Sequence, residues 1–213
     1  MERIFAIGDI HGCLAKLEKM IRMIPFDHEN DRLVFIGDYI DRGPDSKGVV
    51  DYVITLRHYY EKVICLMGNH EQMLLDFVLH GIGREIYFLN GGDATADSYG
   101  YIHEPAGIKI KIPPDHINFF TTLLPFYETD EYIFVHAGLR PGIPLSRQDF
   151  DDTIWIRNEF IQSNWDFGKI IIFGHTPARS PLLEFNKIGI DTGAVYGGKL
   201  TCIELPSRKI YQV

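Results

Sequence analysis

Five short apolar runs in this chain each end beside side chains that can ligate a cation or carry a proton. RIFAI (3–7) is followed by GDIHG, with Asp9 and His11, and RLVFI (32–36) by GDYIDRG, with Asp38, Asp41 and Arg42. KVICLM (62–67) leads into GNHE, with Asn69 and His70. YIFV (132–135) precedes HAG, with His136, and KIIIF (169–173) precedes GHTP, with His175. Three imidazoles, two carboxylates and one amide oxygen from these turns form a mixed nitrogen and oxygen set without a thiolate. Such a set suits borderline divalent ions such as manganese, iron or zinc, more than calcium or a structural zinc. Six ligands are too many for one catalytic metal with an open position. They match two metals, roughly 3.5–4 Å apart, that share a carboxylate.

The runs that carry these residues are continuous rather than alternating, as expected of strands covered on both faces. A sixth β-rich run is KLTCIE (199–204), and weaker strand candidates lie at KIGI (187–190) and KIYQV (209–213). Leu14, Leu17, Ile21 and Ile24 mark one helical face, and Val49, Val50, Val53 and Leu56 another. Strand, helix, strand, helix, strand predicts an α/β layered domain. Residues 71 to about 123 break that rhythm. The pattern there predicts a helical excursion: a helix through Met73, Leu74, Phe77 and Val78, glycine-rich loops, then a helix near 115–123 opened by Pro114 and Asp115. In open α/β sheets, ligand sites gather at the carboxyl ends of the strands, so the five polar turns should share one crevice.

GDIHG, GDYIDRG, GNHE, HAG and GHT, in that order, resemble the metallophosphoesterase signature over about residues 4–205. GDYIDRGPDS and GNHE resemble the phosphoprotein phosphatase branch, particularly compact bacterial serine/threonine phosphatases. The resemblance implies a β-sandwich of mixed sheets flanked by helices, in one calcineurin-like metallophosphoesterase domain spanning 1–213. It implies Asp9, His11 and Asp38 on one metal, and Asp38, Asn69, His136 and His175 on the other, with Asp38 bridging. Manganese is the foremost ion, with iron or zinc as alternatives. Arg42 and Arg157, the latter in TIWIRNEF, resemble phosphate-gripping arginines, whose guanidinium forks match phosphoryl oxygens. His70 resembles the acid that protonates the leaving alkoxide, with Asp41 orienting it and favouring its charged form. Arg140, in HAGLRPG, is placed between a phosphate contact and an ordinary turn arginine.

The implied activity is a metal-dependent phosphomonoesterase, a serine/threonine protein phosphatase using a hydroxide held by a dinuclear centre. Its partners would be phosphoproteins, phosphopeptides or small phosphoesters. The competing reading is a diadenosine tetraphosphate hydrolase. Symmetrical bacterial hydrolases of the superfamily usually carry GNHD for GNHE and lack the aspartate at the Asp41 position, and both differences favour the phosphatase. A third reading, a non-catalytic metal-binding scaffold, is opposed by the presence of every expected ligand, acid and arginine.

Blander readings exist for single residues. Asp38 and Asp41 could be turn residues capping the helix after Pro44. His136 and His175 could each be a hydrogen-bonded core histidine, but five motifs in order speak against chance. His28, His58, His80, His103 and His116 fall outside every motif, Asp191 reads as structural, and the loop at 90–100 is assigned no role.

With 213 residues, 46% hydrophobic and 23% charged, the composition is that of an ordinary globular protein. A net charge of −8, which two divalent cations would halve, gives no basic footprint for nucleic acid. Cys13, Cys65 and Cys202 form no CxxC pair, which suggests reduced thiols and a cytoplasmic protein. No apolar stretch reads as a signal peptide or membrane span. The sequence is silent on oligomeric state.

Overall fold

Two five-stranded sheets face each other in the computed structural model, which describes residues 2–104 and 107–213. The first sheet is built on three parallel strands, β1 (Ile4–Ile7), β2 (Arg32–Phe35) and β3 (Val63–Cys65). The chain returns at its end to add β11 (Thr201–Leu205) antiparallel to β1, and then β12 (Lys209–Gln212) outside it. The second sheet takes β7 (Tyr132–Val135), β8 (Ile170–Phe173) and β10 (Lys187–Gly189) as its parallel centre. It is edged by β6 (Phe126–Glu128) and β9 (Leu182–Leu183), both antiparallel.

The continuous apolar runs follow from three layers of packing. In β1, Ile4 and Ala6 point between the sheets, where they join Val34, Phe134, Ile172 and Ile188. Phe5 and Ile7 point the other way, onto a layer of helices that supplies Leu17, Met20, Val49 and Leu74. In the second sheet, Ile133, Val135, Ile171 and Phe173 face Ile156 and Phe160. A strand buried on both faces has no position for a polar residue until it ends. Each fully buried Ile or Phe contributes about 1.5–3 kcal/mol from desolvation, and the polar residues collect at the ends.

Helices α1 (Leu14–Met23) and α2 (Ser46–Tyr59) lie where the apolar spacing puts them. The cap of α2 is Asp45, whose carboxylate accepts the Gly48 amide at 2.8 Å, so neither Asp38 nor Asp41 caps that helix. Helix α3 (Asn69–His80) begins on the GNHE motif itself. The stretch expected to be glycine-rich loops is more ordered than that. It holds α4 (Arg84–Tyr87), a wide turn at Phe88–Gly92, α5 (Asp93–Tyr99) and a hairpin of β4 (Tyr101–Glu104) with β5 (Gly107–Ile110). Gly91 interrupts the helical path with φ at +95°, a conformation that glycine adopts without a Cβ penalty. That kink is why the local sequence reads as a loop. Helix α6 (Pro114–Thr121) starts on its proline as expected. Two short helices, α7 (Phe150–Trp155) and α8 (Asn158–Ile161), cover the second sheet. Among the described residues, no helix is long and apolar enough to cross a membrane.

Candidate metal centre and phosphate site

The turns that end β1, β2 and β8 are held in a conformation that most residues avoid. His11, Asp38, Asp41, Arg42 and His175 have φ of 45°, 52°, 70°, 69° and 64°. Left-handed backbone costs a non-glycine residue roughly 1–2 kcal/mol, and persists where surroundings over-determine it. Here each turned residue has its amide caught. The His11 amide donates to the Asp38 carbonyl at 2.9 Å, and the Asp38 amide to Glu71 Oε2 at 3.0 Å. Asp41 donates to Thr95 Oγ1 at 2.9 Å, Arg42 to the Gly91 carbonyl at 3.0 Å and His175 to Asp9 Oδ2 at 3.0 Å.

Glu71 is the organiser of this backbone. Its carboxylate accepts four amides, from Asp38 at 3.0 Å, Tyr39 at 2.8 Å, Ile40 at 3.3 Å and Gly68 at 3.1 Å. Burial, reinforced by the nearby Asp38, pushes its pKa up to about 8, against those four donors. Gly68 completes the junction, because a Cβ there would overlap the Asp38 carboxylate. The sequence reading of GNHE used Glu71 only to tell relatives apart and missed this role. Its signal was a carboxylate in the first turn of a helix that follows a glycine.

The ring nitrogens are arranged for cations. His11 Nδ1 donates to the Ile40 carbonyl at 2.8 Å and His136 Nδ1 to the Ile36 carbonyl at 2.9 Å. That orients each ring and turns its Nε2 toward Asp38. Both Nε2 atoms lie 3.4 Å from the Asp38 carboxylate, on Oδ2 and Oδ1 respectively. Asn69 Oδ1 is 3.1 Å from His136 Nε2. His175 Nε2 is buried without any hydrogen-bond partner. Buried polar atoms are nearly always paired, so an orphaned imidazole nitrogen beside a carboxylate fits the part of a metal ligand. Two trios of donor atoms form, each within 4.8 Å: His11 with Asp38 and His70, and Asp38 with His136 and His175. Asp38 belongs to both.

The electrostatics agree with this fit. Burial pushes His11 down to about 3, and burial together with His136 pushes His175 down to about 2, so both are bare bases. Asp38 is held well below the ordinary carboxylate range: burial opposes its charge, but His136, itself raised by facing Asp38, leads the groups that prevail. Burial, then Asp191 and Asp38, raise Asp9 well above that range. The donor set therefore fits a dinuclear metal centre.

Asp9 is in neither trio; its carboxylate lies on the His175 amide, and His70 stands beside His11 and Asp38 instead. His70 Nδ1 meets Asp41 Oδ2 at 2.6 Å, with both side chains buried. Around the cluster, Arg42 reaches His11 Nε2 with Nη1 at 2.7 Å and lies over the exposed Tyr196 ring at 5.6 Å. Arg157 Nη1 donates to the His175 carbonyl and to Thr176 Oγ1, both at 3.1 Å. Arg140 is engaged elsewhere: its fork grips Asp152 through two bonds of 2.5 Å. Asp191 caps its own turn by accepting the Gly193 amide at 2.9 Å, in keeping with a structural part.

This fold and centre define a class. The calcineurin-like phosphoesterase family matches residues 2–202, and the chain belongs to it. It is an enzyme family that hydrolyses phosphoesters. The chain is 33% identical to serine/threonine-protein phosphatase 1 of Salmonella typhimurium over 207 residues, which are 93% of this chain and 89% of that one. It is also 27% identical to the asymmetrical bis(5'-nucleosyl)-tetraphosphatase PrpE of Anoxybacillus flavithermus over 230 residues, 97% of this chain and 92% of that one. A crystal structure described as a putative diadenosine tetraphosphatase superposes with a TM-score of 0.78 at 27% identity, covering 99% of this chain and 92% of the other.

Proposed function

We propose that this phosphoesterase hydrolyses phosphate monoesters, with phosphoserine and phosphothreonine in proteins or peptides as its substrates. The carrying observation is the buried pair of His70 and Asp41, joined at 2.6 Å. A serine alkoxide is a poor leaving group and needs a proton as its bond to phosphorus breaks. A polyphosphate leaves readily without one. A buried dyad that delivers a proton therefore serves a monoester more than a phosphoanhydride.

Asp9, His11, Asp38, Asn69, His136 and His175 would hold two divalent ions, manganese foremost. When bound, these ions act as Lewis acids on the phosphoryl group and lower the pKa of water toward neutrality. The chain's own residues do the rest. Arg42 and Arg157 hold the phosphoryl oxygens with guanidinium donors. Asp41 accepts from His70 Nδ1, which leaves Nε2 as the atom that passes its proton to the leaving oxygen. Arg140 stays outside this grip, because Asp152 occupies its fork.

A second reading, hydrolysis of a dinucleoside tetraphosphate, is favoured by the relatives that carry that name and by the superposition at a TM-score of 0.78. Turnover of phosphoserine peptide and of diadenosine tetraphosphate, measured side by side, separates the two. Faster hydrolysis of the peptide is expected, and a preference for the dinucleotide would reverse the assignment. Exhaustive chelation should abolish either activity, and manganese should restore it. In the same assay, His70→Asn should lose about 10²–10⁴-fold on phosphoserine peptide and far less on nitrophenyl phosphate, whose phenolate leaves unaided. Equal losses on both substrates with metal content intact would remove His70 from the acid's role.

A further inference from the structure

The proton-donating pair is gripped from a segment that belongs to no recognisable motif. Asp41 is fully buried, and His70 uses only its Oδ2. The other oxygen, Oδ1, accepts from Thr95 Oγ1 at 2.6 Å and from the Tyr87 hydroxyl at 3.0 Å. Thr95 also accepts the Asp41 amide at 2.9 Å, alongside Ser46 Oγ at 3.0 Å, and its hydroxyl lies 2.9 Å from Ser46 Oγ. One hydroxyl thus touches both the carboxylate and the left-handed backbone of the same aspartate. Tyr87 and Thr95 are both fully buried, in α4 and α5. Burial, then Asp41, raises the Tyr87 phenol well above its ordinary pKa, so it remains a donor. Its ring is fixed against Phe77 at 5.7 Å.

These bonds have a directional effect. A carboxylate on one free torsion could turn either oxygen, or neither, toward the imidazole. Two hydroxyl donors on Oδ1 remove that freedom and leave Oδ2 facing His70 Nδ1. We propose that Thr95 and Tyr87 are positioning residues that fix the Asp41 carboxylate so that His70 presents its Nε2 proton to the leaving oxygen. The inference rests on the reading of His70 as the leaving-group acid. In the step itself, a water oxygen bonds to phosphorus as the ester P–O bond breaks, the electron pair of that bond stays on the substrate oxygen, and this oxygen takes the Nε2 proton. His70 becomes neutral while Asp41 keeps its charge. The same segment also holds Arg42, through the Gly91 carbonyl. Hence α4, the turn and α5 set the acid and one phosphate arginine together.

The test compares phosphoserine peptide with nitrophenyl phosphate in the metal-loaded enzyme, because only the first needs the proton. Thr95→Val keeps the shape and removes both bonds. It should lower the peptide-to-nitrophenyl ratio by about tenfold, part of the 10²–10⁴ that general acid catalysis is worth. Thr95→Ser should restore the ratio, and Tyr87→Phe should lower it less, in the same direction. A purely structural role would move both activities together. Should Thr95→Val not fold, Tyr87→Phe with Thr95→Ser decides. Unchanged ratios in these variants, while His70→Asn separates the substrates, would overturn the inference and leave the acid reading standing. If His70→Asn itself does not separate them, the acid reading falls and this inference with it.

Discussion

At the ends of β1, β2 and β3 the turned backbone is caught by buried partners from its own half of the molecule, whereas β7 and β8 present histidines that are held from across the sandwich. Glu71 gathers four amides of the first half, and Thr95 and Ser46 take a fifth. In the second half, His136 is oriented by the Ile36 carbonyl at 2.9 Å and the His175 amide by Asp9 at 3.0 Å. Its arginines, Arg140 and Arg157, are exposed. The difference separates two ways of building a site. One half is a bracket that pre-shapes Asp38, His70 and Arg42. The other supplies His136 and His175, whose alignment depends on the apolar seam between the sheets, through residues such as Ala6, Val34 and Ile172.

The comparison can be broken most sharply at Asp38, the residue common to both trios. Asp38→Asn keeps one oxygen for one metal but cannot bridge. Several kcal/mol of charge stabilisation, at about 1.4 kcal/mol per decade of rate, amount to roughly 10³-fold. The loss should be the same on phosphoserine peptide and nitrophenyl phosphate, with metal content by elemental analysis falling alongside. A variant that still held two metals at wild-type rate would remove Asp38 as the bridge.

A smaller effect is expected at Glu71, and it tests whether the first half is a preformed bracket. Glu71→Gln keeps the volume, but one acceptor oxygen becomes an amide NH2, a donor, and leaves buried backbone amides without an acceptor. At about 1–3 kcal/mol for each unsatisfied donor, chemical denaturation should show a loss of roughly 2–5 kcal/mol. Unchanged stability would mean that the loops hold without Glu71. The smallest effect belongs to Arg140→Ala. An exposed pair contributes about 0–1 kcal/mol, so stability should barely move and turnover should stay within about twofold. A large loss of kcat/KM would instead bring Arg140 into the phosphate grip.

The sequence shows the first sheet's parallel core and all five polar turns for a physical reason. Strands buried on both faces are apolar to their last residue, so Asp9, Asp38, Asn69, His136 and His175 stand out by contrast. What it hides depends on contacts far along the chain. Thr95 and Tyr87 reach Asp41 across 54 and 46 positions, and nothing in NGGDATADSYG announces a hydroxyl bound for a carboxylate. The hairpin of β4 and β5 escapes because its first strand is exposed throughout and shows no buried face. The pairing of β11 with β1 is invisible too, since antiparallel return from the chain's end leaves no local mark.

That return has a consequence for how the protein is made. β1 lies between β2 and β11 in the sheet, and Asp9 meets His175 across 166 positions. A polypeptide still emerging from the ribosome therefore displays one apolar edge of β1 with no neighbour to pair it. Such an edge invites pairing with other chains. It also lacks the later histidines altogether. Until β8 has cleared the exit tunnel, the His175 amide cannot reach Asp9, so the proposed metal centre stays incomplete in the nascent chain.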